Sequence, residues 1–163
     1  MAISTNTPME AFDRLIHRSA EIIKEEILAQ LQYLGEECVK RIREPHEGNW
    51  MDQTGNLRSS IGSAVFDYGK QVMKTAFEAV SGPDGSGATG SAKGEEYINS
   101  LAREYARVYA LVVVAGMDYA DAVETKRDVL EGAKLWAQTQ IDGRMQDAQR
   151  IAERRINRLI QQL

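Results

Sequence analysis

Asp52-Gln53-Thr54-Gly55-Asn56-Leu57-Arg58-Ser59-Ser60-Ile61 marks the point where the chain changes period. Before it, apolar residues recur at helical spacing; after it, they follow the pattern of strands. Thr54 can cap a turn, Gly55 permits a tight backbone, and Leu57 and Ile61 stand four apart, on one side of a helical turn. The stretch reads as a capped helical turn running into a strand, a structural corner that needs no chemistry.

Upstream, Thr7-Pro8-Met9-Glu10 has the form of an N-cap, a proline at the first helical position and a glutamate closing a capping box. Phe12, Ile16, Ala20, Ile23, Ile27, Leu31, Leu34, Cys38 and Ile42 then trace one stripe along a helix expected over 8–44. Pro45 ends it, because the residue before a proline is pushed out of helical geometry. Gly35 is a soft point in that helix, costing up to about 1 kcal/mol relative to alanine. A loop holding His46 and Trp50 leads into the corner.

Downstream, strands are expected at 61–66 and 71–80, joined around Asp67-Tyr68-Gly69-Lys70, where glycine supplies the positive φ of a tight hairpin. The segment 81–94 holds five glycines, three serines and a proline, so it is expected to be a mobile loop. Helical spacing returns at 95–107. Tyr109-Ala110-Leu111-Val112-Val113-Val114-Ala115 is the best strand in the chain, apolar on both faces and hence expected to be central. A short helix is expected at 118–125 and a last long one over 129–163, striped by Ala137, Ile141, Met145, Ala148, Ala152, Ile156, Leu159 and Leu163.

The predicted fold is α+β: long N- and C-terminal amphipathic helices packed on a small, mostly antiparallel or mixed sheet containing a β-hairpin. One domain is expected across residues 1–163: an N-terminal tail at 1–7, the first helix, a sheet-and-helix core at 54–128 and the C-terminal helix.

Composition narrows the function. Hydrophobic residues make up 43% and charged residues 27%, which suits a folded core. No run reaches the roughly 18 apolar residues that a membrane span requires, so no membrane is expected as a partner. The N-terminus lacks a basic stretch followed by an apolar one, which argues against secretion. Cys38 is the only cysteine, excluding an internal disulfide and fitting a reducing cytoplasm. With 20 basic and 24 acidic residues the net charge is −4, against DNA as principal ligand.

Candidate chemical sites are weak. His17 and His46 stand apart with no metal-binding spacing, and Cys38 lies on a core stripe, where a small buried hydrophobe is the ordinary role. Asp118, Asp121, Glu124 and Asp128 lack the alternation and central glycine of a calcium loop and read as a solvated helix face. Gly90-Ser91-Ala92-Lys93-Gly94 has the wrong order for a phosphate-binding loop. No catalytic residue, metal or cofactor is therefore expected. The last helix is rich in arginine, and Arg150, Arg154 and Arg158 share one face at spacings of four. That face reads equally as a solvated surface or as a contact for an acidic partner or a neighbouring subunit, with DNA contact as a third option.

The block Thr54-Gly55-Asn56-Leu57-Arg58-Ser59-Ser60-Ile61, following a long amphipathic helix, resembles the T-G-x-L-x-x-S-I signature of bacteriophage tail-component proteins, the group of head–tail joining and tail-completion proteins. A second block resembles that family's strand followed by Tyr-x-x-x-Val-Glu, here Tyr119, Val123 and Glu124. The chain departs from the pattern after Glu124, where Thr125-Lys126 replaces the family's glycine. The resemblance implies a non-enzymatic virion protein of the neck or tail, present in the host cytoplasm during assembly. Its partners would be further copies of itself in a ring and the neighbouring portal, adaptor and tail proteins, with DNA passing nearby but not specifically gripped. Variants of the same reading are a tail terminator or a minor capsid protein. The rival is a non-viral helical adaptor that holds a partner's helix between its two long helices.

Overall fold

The computed structural model describes residues 9–44 and 52–162. They form α1 (Met9–Arg43), the short α2 (Asn56–Ser59), β1 (Ile61–Asp67), β2 (Lys70–Lys74), α3 (Ala88–Ser100) with a 3-10 turn at Leu101–Arg103, β3 (Tyr109–Ala115), α4 (Ala120–Arg127) and α5 (Glu131–Ile160). The expected α+β fold with long helices and a small antiparallel sheet is what the chain adopts. Thr7, Pro8, Pro45, His46, Trp50 and Leu163 lie outside the described residues. The chain divides into two compact units, one formed by Met1–Gln30 with Asp142–Leu163 and the other by Leu31–Ile141.

The larger unit is a layered structure around three antiparallel strands in the order β2-β1-β3. Tyr68 and Gly69, with φ of 48° and 83°, close the β1–β2 hairpin in the left-handed conformation that a two-residue turn requires. One face of the sheet carries Ala64, Phe66, Val112 and Val114, packed against Phe77, Ile98 and Leu101; the Tyr105 ring stacks on Phe66 at 5.6 Å. A second cluster joins Val39 and Ile42 of α1 to Leu57, Ile61 and Val129. Both clusters exclude water from apolar area, the main favourable term in folding.

Three expectations are corrected by this packing. The strand expected to be central, β3, lies at an edge, and β1 is the middle strand. Its apolar character on both faces reflects layers above and below it, which sequence pattern alone does not separate from strands on either side. The strand expected over 71–80 stops at Lys74, because Phe77 leaves the ladder to fill the space beside Gly62 and Gly94, where even a Cβ would come within 2.5 Å of its ring. The loop expected through Gly94 gives way at Ala88 to α3, whose Ser100 end is seven residues short of the expected 107.

The apolar stripe of α1 is confirmed along its later half and displaced along its earlier half. Leu31, Leu34, Cys38 and Ile42 are buried. Phe12, Ile16 and Ile23 are instead about half exposed, and Ile22, one position along, is the buried residue. The helix carries adjacent apolar lines there, and only one of them is covered. In α5, Ala148 and Ala152 are buried as the stripe requires.

Gly35 also differs from its sequence reading as a mere weak point. A Cβ there would stand 2.7 Å from Ser63 Oγ and 2.8 Å from Leu111 Cδ1, so glycine allows α1 to lie close on the sheet. Gly35→Ala would gain up to about 1 kcal/mol of helix propensity. It would also force a well-packed layer apart, which typically costs about 1–3 kcal/mol. The expected outcome is a net loss, read as a lower midpoint of denaturant unfolding; a stabilised variant would contradict the close packing.

Candidate functional site: the threonine–glycine corner

The corner is assembled from backbone geometry that its residue types dictate. Gly55 takes φ 76° at the start of α2, and a Cβ there would stand 1.8 Å from the carbonyl oxygen of Val80. Only glycine satisfies both demands. Thr54 Oγ1 accepts the N–H of Asn56 (3.3 Å), and Asp52 Oδ2 accepts that of Arg58 (2.9 Å), so two otherwise orphaned donors at the start of the turn are met. The cap position itself is Gly55, which has no capping side chain, so the cap expected of Thr54 is replaced by bonds that Thr54 and Asp52 accept from just before it.

Inside the corner two fully buried hydroxyls replace apolar packing. Ser60 Oγ donates to the Leu57 carbonyl (2.8 Å). Ser59 Oγ donates to the Gly55 carbonyl (2.6 Å) and accepts the N–H of Val80 (2.8 Å), joining the turn to the chain leaving β2. Leu57 and Ile61 lie in one apolar cluster, as their spacing of four predicts. Arg43, at the end of α1, donates to the Ile61 carbonyl (2.6 Å) and so ties the helix to the start of β1.

The glycine-rich segment is docked here. The Asp84 N–H bonds to the Gln53 carbonyl (2.8 Å), the Gly87 N–H to the Thr54 carbonyl (3.1 Å), and the Gly90 N–H to Asn56 Oδ1 (3.2 Å). At Gly90 a Cβ would fall 1.9 Å from the Asn56 carbonyl oxygen. The glycines therefore permit close backbone approach.

The second sequence block arrives at the same place. Tyr119 and Val123 line a cleft of about 380 Å3 with Asp52, Thr54 and Leu57. Burial, together with the neighbouring Asp52 carboxylate, raises the Tyr119 hydroxyl above its ordinary pKa, and a hydrogen bond with Thr54 opposes that shift. Glu124 performs a different task. Its carboxylate accepts the N–H groups of Val129 (2.7 Å), Leu130 (2.7 Å) and Glu131 (2.9 Å), capping the entry to α5, where negative charge also suits the helix dipole. Thr54, Gly55, Leu57, Ser60, Ile61, Tyr119 and Val123 thus gather at the corner, while the Glu124 carboxylate lies apart from it at the start of α5. Ser59, Asp52 and Asn56 are the corner's missed members: their types announce turn chemistry, but the partners across the corner are distant in sequence.

The remaining candidates occupy ordinary positions. Asp128 Oδ1 accepts the Gly132 N–H (2.7 Å), and Asp118 pairs with Lys93 (2.5 Å). Among the described residues no group of three or more histidine, cysteine or acidic side chains is placed to hold a metal ion. Cys38 is buried, its thiol is raised above the usual cysteine pKa by burial, and Sγ donates weakly to the Ala133 carbonyl (3.7 Å). His17 is exposed on α1. No described helix is long and apolar enough to cross a membrane.

Arg150, Arg154 and Arg158 belong to the smaller unit and are all exposed on α5. Arg150 pairs with Asp147, while Arg154 Nε and Arg158 Nε each donate to the carbonyl one turn back, at 3.2 and 3.4 Å. The arginine that joins the two long helices is Arg155, which bonds Glu25 (2.6 Å) and Glu26 (2.5 Å). These bonds with Arg155 hold the Glu25 carboxyl below the usual range. A depressed carboxyl stabilises the folded form above its unfolded pKa, and that contribution fades as pH falls through the folded value.

No family model matches the chain, and neither does any curated protein or solved structure.

Two expectations follow. Leu57→Asp places a charge in the corner cluster and should cost several kcal/mol, about 3 or more, whereas Glu124→Ala should cost about 1–2 kcal/mol through loss of a helix cap; wild-type melting of both would refute the corner's structural role. Replacing Arg150, Arg154 and Arg158 together with glutamate should leave the thermal unfolding free energy within about 1 kcal/mol of wild type, because exposed pairs contribute little. A collapse of stability would show that this face carries the fold.

Proposed function

We propose that the chain is a structural protein of a bacteriophage virion, a ring-forming component of the neck that joins portal-side proteins to the tail. The observation that carries this reading is the uncovered apolar line of the smaller unit. Phe12, Ile16 and Ile23 are 50%, 51% and 46% exposed. Beside them, Ile23, Ile27, Met145, Ala152 and Ile156 line a groove of about 360 Å3 between α1 and α5. Burying such a side chain fully is worth about 1.5–3 kcal/mol, so two helices that leave a line of them in water favour association. In a closed ring every copy covers the face of its neighbour. The corner supports the same reading, since its two blocks carry the resemblance to tail-component proteins and their residues meet to brace a backbone. A neck position implies residence in the virion after assembly in the host cytoplasm, with tail terminator as the nearest variant.

The groove between the long helices is also what a helical adaptor would use, and this favours that rival specifically. Mass measurement in solution, alone and with neck fractions of the particle, separates the two. A ring is expected to give a discrete multiple of the chain mass, and Ile16→Asp with Ile23→Asp should reduce it to monomers with unchanged helix content. A strictly monomeric protein that captures an amphipathic helical peptide in the groove would favour the adaptor and overturn the ring.

A further inference from the structure

Strand β3 has a free edge of unusual chemistry, and it stands independently of the neck reading. Gly62, Ala64 and Phe66 face Val114, Val112 and Ala110 across the β1–β3 ladder. The Gly116 N–H bonds to the Ser60 carbonyl and the Tyr68 N–H to the Val108 carbonyl, both at 3.1 Å. In an antiparallel pair this parity makes the even-numbered residues of β3 the ones that exchange hydrogen bonds with β1. The N–H and C=O groups of Leu111, Val113 and Ala115 therefore point away from the sheet. Among the described residues none bonds to them.

Edges of this kind attract other strands, and folded proteins usually guard them with lysine, proline, a bulge or a covering element. The opposite edge is guarded. β2 is only five residues long, with Lys70 and Lys74 at its ends, and the ladder beside it is irregular at Val65/Phe66. β3 has no charged residue, proline or glycine along its seven positions. Nor is it flat and open. Tyr97, Leu101 and Tyr105 rise on one side of it and Ala120, Val129 and Leu130 on the other, enclosing a slot of about 330 Å3. A second recess of about 440 Å3 follows, walled by Tyr105 on one side and Leu130, Ala133 and Ala137 on the other.

We propose that this slot takes one extended peptide segment of a partner protein, which adds to the sheet as a fourth strand beside β3. The walls explain why the guest is a single segment rather than another copy's β3, since that strand lies between walls of its own. The apolar lining calls for β-branched or small apolar residues at alternate positions, while the outward backbone groups supply the affinity. The rim selects charge: the exposed carboxylates of Glu104 and Asp121 stand at the slot, and Lys134 at the second recess is already paired with Glu131 (3.0 Å), so the segment carries a flanking lysine or arginine. The same carboxylates disfavour a nucleic acid.

The test uses the full chain and a fluorescein-labelled peptide, Lys-Val-Thr-Val-Thr-Val-Lys, with its glutamate-flanked counterpart as control. Saturable binding of the lysine peptide with Kd below about 1 mM is expected, with new hydrogen-exchange protection at the amides of Leu111, Val113 and Ala115. Val113→Pro removes a donor that points into the slot and leaves the β1 ladder intact, as edge positions tolerate. It should weaken binding by about tenfold or more with circular dichroism unchanged. Should that variant unfold, Glu104→Lys with Asp121→Lys, both on exposed positions, keeps the question open to test: it should transfer preference to the glutamate peptide. Absence of saturation at about 1 mM, protection elsewhere, or unchanged selectivity after charge reversal would overturn the proposal. Self-association that Val113→Pro abolishes would overturn the choice of guest and make it a second copy.

Discussion

The buried hydroxyl of Ser59 holds together the part of the chain from which the larger unit is organised. It is fully enclosed, donates to the Gly55 carbonyl and accepts from the Val80 N–H, so it closes α2 and anchors the chain that has just left the sheet. A buried polar group of this kind is stabilising only while both its partners are in place. Both partners depend on Gly55 adopting a left-handed conformation that other residues rarely take. One glycine and one hydroxyl thus tie the turn before β1 to the chain that leaves β2. The apolar cluster of Leu57, Ile61, Val39 and Ile42 joins the same turn to α1.

The sequence made the elements legible where periodicity was unambiguous. The bounds of β3 and the turn at Tyr68-Gly69 followed from β-branched residues and from glycine. The corner was legible as a turn because Thr54 and Gly55 have few other uses in that order. Its partners were not, since Val80, Asp84 and Gly90 lie 20 to 35 positions away and nothing local announces them. The glycine-rich segment misled for a related reason. Composition records how much entropy glycine loses on ordering, whereas Gly87 and Gly90 serve to bring two backbones together. Similarly, the apolar residues of the first helix form adjacent lines, and which one is covered depends on where α5 lies.

The two proposals rest on different surfaces with different physics. The apolar line at Phe12, Ile16 and Ile23 is non-directional and gains by being covered at all. The edge of β3 is directional, since its donors and acceptors repeat every second residue and accept only an extended backbone in register. A chain with both can make a contact that sets assembly and another that selects what is attached to it.

The pairing of α1 with α5 in the smaller unit has a consequence for the order of events at the ribosome. Arg155 and Glu25 are 130 positions apart. At the usual synthesis rate of about 5–20 residues per second, the start of α1 waits roughly 6 to 26 seconds for its helical partner to be made. Throughout that interval Ile22, buried in the finished chain, is as uncovered as Phe12 and Ile16, so the nascent helix exposes more apolar surface than the finished one. The larger unit, Leu31–Ile141, is complete before the last turns of α5 are made, so the smaller unit is the later of the two to gain all its residues.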